Sequence, residues 1–211
     1  KEDDAVVATD MRPEELLEKV ADVDAILVRS KTKITQKVIE RAKKLKVIGR
    51  AGVGVDNIDL KAATKRGILV VNAPEASSIT VAEHTLGLMM ALARNIPFAD
   101  ASLKAGKWEK KKFLGMELRS KTLGIIGLGR IGTHVALKAK VFGMKILAYD
   151  PYITEETCKE LGIELRDFEG VIKEADFITV HVPLTDKTKG ILGEKEIEKM
   201  KEGVFLINCA R

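Results

Sequence analysis

Gly127, Gly129 and Gly132 form a Gly-x-Gly-x-x-Gly turn, and an acidic residue, Asp150, follows about 20 residues on. An apolar run over 122–126 enters the turn, a helical pattern over 131–142 leaves it, and a second apolar run over 145–149 ends at the acid. This strand–turn–helix–strand context separates a dinucleotide cradle from a merely glycine-rich bend. Gly127 permits the tight turn. Gly129 lets the backbone approach a pyrophosphate, which sits on the positive N-terminus of the helix. Gly132 lets helix and strand pack closely. Asp150 accepts hydrogen bonds from ribose hydroxyls and repels a 2′-phosphate, so the pattern predicts NAD rather than NADP.

A second constellation lies in residues 45–59. It repeats Gly-x-Gly, but Asn57 stands at the third glycine position, so it is not a second nucleotide fingerprint. A strand leads into Gly49-Arg50 and a helix starts near Asp59, which places the loop at the C-terminal edge of a sheet, where open α/β sheets bind ligands. The N–H groups of Val53 and Gly54 make an anion-binding nest there, flanked by Arg50 and Asn57. Arg29, ending an earlier strand, reaches the same edge. Two arginines beside a nest suit a small dianion, or a carboxylate together with a phosphate. The same residues fit a tight turn with two surface arginines equally well, and chemistry alone leaves both readings open.

The elements that must position these groups alternate between strand and helix. Strands are predicted at 5–9, 25–28, 47–49 and 68–71, with helices over 13–20, after Thr35 as cap, and over 60–66. Asn72-Ala73-Pro74 breaks the pattern. A long helix over 80–94 follows, with Thr80 and Glu83 spaced as a capping box and an apolar surface nearly all round, as for a helix buried between two units. Pro97 and Gly106 mark the passage to a second unit, with strands at 122–126, 145–149, 163–165, 177–180 and 204–208. This predicts an α/β protein with parallel sheets, in which 204–208 is the fifth strand of a doubly wound order. The apolar strand 204–208 on an open edge, and the start on Lys1, read as the two cut ends of a longer chain.

Composition narrows the class. The chain has 211 residues, 45% hydrophobic and 32% charged, with a net charge of +5. The charges alternate in sign and aromatics are only 4%, so no stacking platform for nucleic acid is present, and the surface reads as solvated and ion-paired. No apolar run reaches the roughly 18 residues of a membrane span. Cys158 and Cys209 have no metal-ligand spacing, and no metal site is expected. With reduced thiols and no signal peptide in view, a cytoplasmic protein is expected.

Together, residues 27–30, 47–57, 106–109, 122–132, 149–151, 176–183 and 208–211 resemble the D-isomer-specific 2-hydroxyacid dehydrogenases over nearly the whole chain. The resemblance implies a smaller flavodoxin-like substrate domain, here 1–73, and a Rossmann-type NAD-binding domain, here 74–211. It implies hydride transfer between a phosphorylated 2-hydroxy acid and NAD, with Arg29, Arg50, Val53, Gly54 and Asn57 on the substrate. A glyoxylate or hydroxypyruvate reductase and a non-catalytic NAD-sensing corepressor are the rival readings. Arg211 takes the family's catalytic arginine position, while its glutamate and histidine match nothing here, so residues 1–211 alone are expected to be inactive. Gly127, Gly129, Arg130, Ile131, Gly132, Asp150, Pro151, His181, Val182, Pro183, Cys209, Ala210 and Arg211 are implied to line the cofactor. His181 is given no acid–base role. His84 is expected to pack or to hydrogen-bond between domains, and His134 to face solvent. The segment around Lys107-Trp108-Glu109 is implied to help form a homodimer or homotetramer.

Overall fold

A computed structural model describes residues 5–210, and these divide into two units between Ser77 and Ser78. In the first unit a parallel sheet of three strands is ordered β1 (Ala25–Val28), β2 (Val47–Arg50), β3 (Leu69–Asn72). Three helices serve it: α1 (Pro13–Lys19), α2 (Gln36–Arg41) and α3 (Leu60–Lys65). Pro13 starts α1, where a missing N–H costs nothing, and Glu15 folds back onto the Arg12 backbone N–H at 3.1 Å. Asp59 caps α3 by accepting the Ala62 N–H at 2.9 Å, and Gly67, at φ +67°, stops it. Leu16, Ile34, Ile39, Ile48, Ala63 and Ile68 build the core between helices and sheet.

The second unit opens with α4 (Ser78–Ala93) and α5 (Ile96–Lys104). It continues as an alternation of β4 (Thr122–Ile126), α6 (Arg130–Val141), β5 (Lys145–Tyr149), α7 (Glu155–Leu161), β6 (Glu164–Leu165), α8 (Phe168–Glu174), β7 (Phe177–Val180), α9 (Glu194–Ile197) and β8 (Phe205–Asn208). The sheet is all parallel, in the order β6-β5-β4-β7-β8. That is the doubly wound order, with the reversal beside β4, and it puts the glycine turn at the crevice where such sheets bind ligands. Leu123, Ile125, Val135, Ala139 and Phe177 pack one face; Ile126, Leu147, Val171, Ile172 and Ile178 pack the other. Two covered faces require near-continuous apolar strands, and β7 is buried at every position.

Four expectations are corrected. Residues 5–9 form no strand: Val6 and Val7 are exposed and join no ladder, and a short apolar run without a paired neighbour has nothing to hold it extended. The Thr35 side chain makes no cap bond to α2. The long helix starts at Ser78, so Thr80 and Glu83 lie inside it and form no capping box. That helix is not buried all round either. Ala82, Thr85, Leu86, Met89 and Ala93 are buried, with α6 and β8 as its neighbours in this unit, while Ile79, Leu88 and Leu92 are exposed.

Candidate functional site

The glycine turn shows three separate geometric demands. Gly127 has φ +94°, and an added Cβ would lie 2.9 Å from the His181 carbonyl oxygen. At Gly132 a Cβ would lie 2.1 Å from the Gly127 carbonyl oxygen, so only glycine lets α6 approach the turn. At Gly129 an added Cβ meets nothing within 4 Å. Gly129 is therefore not required by protein packing; it faces open space. It is also the N-cap of α6 and supplies no side-chain cap, so the helix opens with its first-turn N–H groups uncapped by a side chain. A cradle that is open on one side and backed by a 12-residue helix fits a pyrophosphate.

Asp150 follows β5 at the same sheet edge. One carboxylate oxygen accepts the Leu128 N–H at 2.9 Å and the other accepts the Tyr152 N–H at 2.9 Å. Each oxygen keeps a further lone pair for a ribose hydroxyl. Pro151 is exposed beside it. His181 follows β7. Its backbone N–H is bonded to Ile126 O at 2.8 Å, and its Nε2 lies 3.0 Å from Thr179 Oγ1. Burial pushes its pKa down to about 4, so the ring is neutral at physiological pH and unsuited to general-base work.

Beyond β7 and β8 lies a cavity of about 240 Å³, walled by Val182, Pro183, Thr188, Ile191, Leu206 and Ala210. Val182, Pro183 and Ala210 are thus brought together, and Cys209 is half-buried between β8 and Ala210. Arg211 lies outside the described residues. A larger hollow, about 550 Å³, surrounds Lys145 at the opposite end of β5 from Asp150, and none of the nucleotide residues lines it. Of the remaining histidines, His84 is exposed rather than packed, and His134 is half-buried rather than solvent-facing.

In the first unit, Arg29, Arg50 and Asn57 share one sheet edge: Val28 pairs with Arg50 across the β1–β2 ladder. Arg29 is exposed, whereas Arg50 is buried, at 6% exposure. Its guanidinium donates to Ser30 Oγ at 3.0 Å and to Ala51 O at 3.1 Å, while Nε has no partner. Gly52, at φ +147°, makes this possible, because a Cβ there would lie 1.4 Å from Arg50 Nη1. Asn57 has a role the sequence did not reveal. Its Nδ2 donates to Arg29 O at 2.9 Å and to Thr32 O at 2.7 Å, tying the loop after β1 to the loop after β2. Its Oδ1 is buried without a partner. Asn72 Nδ2 donates to Val53 O at 2.6 Å and steadies the proposed nest from β3. Ser30, Gly52 and Asn72 are the supporting residues that sequence reasoning missed. Gly52 was visible within the Gly-x-Gly spacing, but Ser30 and Asn72 carry no signal of their own.

Comparison with known proteins agrees with this geometry. Residues 86–211 match the profile of the D-isomer specific 2-hydroxyacid dehydrogenase, NAD binding domain. D-3-phosphoglycerate dehydrogenase of Methanocaldococcus jannaschii is 61% identical over 206 residues, which are 97% of this chain and 39% of that protein. The same-named human protein is 52% identical over 198 residues, 94% of this chain and 37% of that one. Among solved structures, D-lactate dehydrogenase from Aquifex aeolicus complexed with NAD and lactic acid superposes with a TM-score of 0.86 at 37% identity, covering 92% of this chain and 59% of the other. The chain spans about two fifths of the length of the curated relatives it matches. Among the described residues no helix is long and apolar enough to cross a membrane. With a doubly wound parallel sheet, the three-glycine turn, Asp150 at the switch point and the matched profile, the chain belongs to the D-isomer-specific 2-hydroxyacid dehydrogenase family.

Proposed function

We propose that the protein oxidises D-3-phosphoglycerate to 3-phosphohydroxypyruvate with NAD, the first step of serine biosynthesis. Residues 1–73 serve the substrate and 74–211 the cofactor. The observation that carries the choice of substrate is Arg50. A buried guanidinium with no carboxylate partner among the described residues and an unpartnered Nε is costly unless an anion completes it. The identities with D-3-phosphoglycerate dehydrogenases support the same choice.

Arg29 and Arg50, with the Val53 and Gly54 N–H groups, neutralise the phosphate and carboxylate of the acid. Asn57 holds the two loops that present them. Arg211 binds the carboxylate and stabilises charge on the forming carbonyl oxygen. The turn at Gly127, Gly129 and Gly132, with Arg130 and Ile131, seats the pyrophosphate, while Asp150 and Pro151 hold the adenosine ribose. His181, Val182, Pro183, Cys209 and Ala210 exclude water from the nicotinamide side. Bound NAD supplies the acceptor for the hydride leaving the carbinol carbon. His181, held neutral by burial with a pKa near 4, is not the base that takes the substrate proton. A homodimer or homotetramer is part of this proposal, supported by the exposed apolar side chains Phe98, Leu103, Trp108 and Leu114.

The test is a substrate panel on the full-length protein. NADH should form fastest, by kcat/KM, with 3-phosphoglycerate. Arg50→Met should raise KM for that acid by about a hundredfold, as expected for loss of a charge-assisted pair of roughly 3 kcal/mol. A preference for lactate, glycerate or glyoxylate-type substrates over the phosphorylated acid would overturn the assignment.

A further inference from the structure

The loop over 182–192 joins β7 to α9 and walls the cavity beyond β7 and β8. Its two ends are anchored by packing, Val182 at one and Ile191 and Leu192 at the other, all against the core on that side of the sheet. Between them, residues 183–190 are exposed with one exception, Thr188, which is half-buried. A surface stretch of this kind ordinarily has little to hold it. Here Thr188 Oγ1 accepts the Thr185 N–H at 2.8 Å, lies 3.0 Å from the Thr185 hydroxyl, and donates to the Pro183 carbonyl. A threonine hydroxyl has one proton and two lone pairs, so a Thr185 hydroxyl that donates to it uses every bonding position it has. The backbone closes the same loop, with the Thr188 N–H and Lys189 N–H on Thr185 O at 3.1 and 2.9 Å, and the Ile191 N–H on Thr188 O at 3.2 Å.

We infer that Thr188 is a positioning residue, whose hydroxyl holds the 182–192 loop as a preformed wall of the nucleotide site. The inference rests on the cofactor reading given above. It extends that reading to a residue that touches the cavity but whose polar contacts are to the loop itself. The Thr188 hydroxyl fixes the carbonyl of Pro183, and Val182 and Pro183 are the two residues of this loop assigned to the cofactor. Without that bond the segment must be ordered at the moment of binding, and the entropy of ordering it is subtracted from affinity.

Thr188 stands between two lysines, Lys187 and Lys189, both exposed, so the state of the loop can be read by trypsin. In the full-length protein, cleavage after Lys187 and Lys189, followed by mass spectrometry, should be slow in the wild type and about tenfold faster in Thr188→Val, which keeps the shape and removes the hydroxyl. Thr188→Ser should behave as the wild type. By calorimetry, Thr188→Val should weaken NADH binding about tenfold, the equivalent of one net hydrogen bond, and Thr188→Ser less than about twofold. Thr185→Val, which removes the partner hydroxyl, should shift both readouts in the same direction. Unchanged proteolysis and unchanged NADH affinity in Thr188→Val would overturn the inference, as would equal losses in the serine and valine variants. If the wild type itself takes up no NADH, the cofactor reading fails. The proteolysis comparison, made without cofactor, still decides whether the hydroxyl holds the loop.

Discussion

Gly129 and Gly132 are three residues apart and glycine for opposite reasons, which makes them a matched pair of probes. Gly132→Ala puts a Cβ 2.1 Å from the Gly127 carbonyl oxygen and should cost about 1–3 kcal/mol, seen as a lowered Tm in thermal melts. Gly129→Ala meets no protein atom, and its backbone, at φ −72° and ψ −161°, suits alanine. Its Tm should stay within about a degree of the wild type, while calorimetric NADH affinity falls by at least about tenfold, because the methyl occupies space that belongs to the ligand. A Gly129→Ala protein that binds NADH normally would remove the pyrophosphate from this turn. Gly52→Ala tests the substrate side. It strains a backbone at φ +147° and displaces the Arg50 guanidinium, so the full-length protein should show a raised KM for the phosphorylated acid. His181 gives a pH signature. Its pKa lies near 4 in the folded protein against an ordinary 6.5, so the unfolded chain binds the extra proton between those values. This penalty is absent above about pH 6.5 and grows toward about 3 kcal/mol as pH falls to 4. In denaturant titrations across that window, His181→Gln should flatten the acid loss of stability.

At the scale of elements, Asp176 links three strands of the second unit. It lies just before β7, accepts the Thr122 N–H of β4 at 2.8 Å, and pairs at 2.9 Å with Lys201, which precedes β8. Although burial pushes its pKa up, the Thr122 N–H and the Lys201 ammonium outweigh that and hold it below the usual aspartate range. Its contribution is present above the ordinary aspartate pKa and is lost as pH falls through the lower folded value. Asp176→Ala leaves the Thr122 N–H without its acceptor and should destabilise by about 1–3 kcal/mol in denaturant titration. Elements like these were readily legible. The strands at 25–28 and 122–126 were read without error, because both are continuous apolar runs bounded by turn residues, although only the second is buried along most of its length. Helix α5 was missed. Pro97 was read as marking the passage to the second unit, when it stands in the first turn of a helix entered from Asn95 in the left-handed conformation. The site was legible where glycine spacing encodes it and illegible where support comes from afar. Asn57 was read as a ligand residue, yet its amide is bonded to the carbonyls of Arg29 and Thr32, contacts that a linear sequence does not announce.

At the scale of the molecule, each unit carries its own core, and each presents its candidate residues on the C-terminal edge of a parallel sheet. The second unit also carries a stretch of apolar side chains that its own core does not use. Trp108 is 81% exposed and Phe98 65%, with Leu103 and Leu114 also exposed. Monomers seldom expose such a series without a partner surface. Trp108→Ala combined with Leu103→Lys should shift the full-length protein toward monomer in sedimentation velocity, with little change in the far-UV circular dichroism of the subunit. Unchanged sedimentation of that variant would remove this surface from the proposed subunit contact.

The carboxylate of Asp150 faces two ways, toward the Leu128 and Tyr152 amides and toward the ligand side of the turn. Under the proposed assignment of Asp150 to the ribose, coenzyme preference and local architecture are encoded by the same atoms. A redesign toward phosphorylated nicotinamide coenzymes that simply swaps this position for serine or arginine would deprive Leu128 of its acceptor and slacken the bend meant to receive the new molecule. Any lineage or laboratory that succeeds in the switch must furnish a second acceptor first.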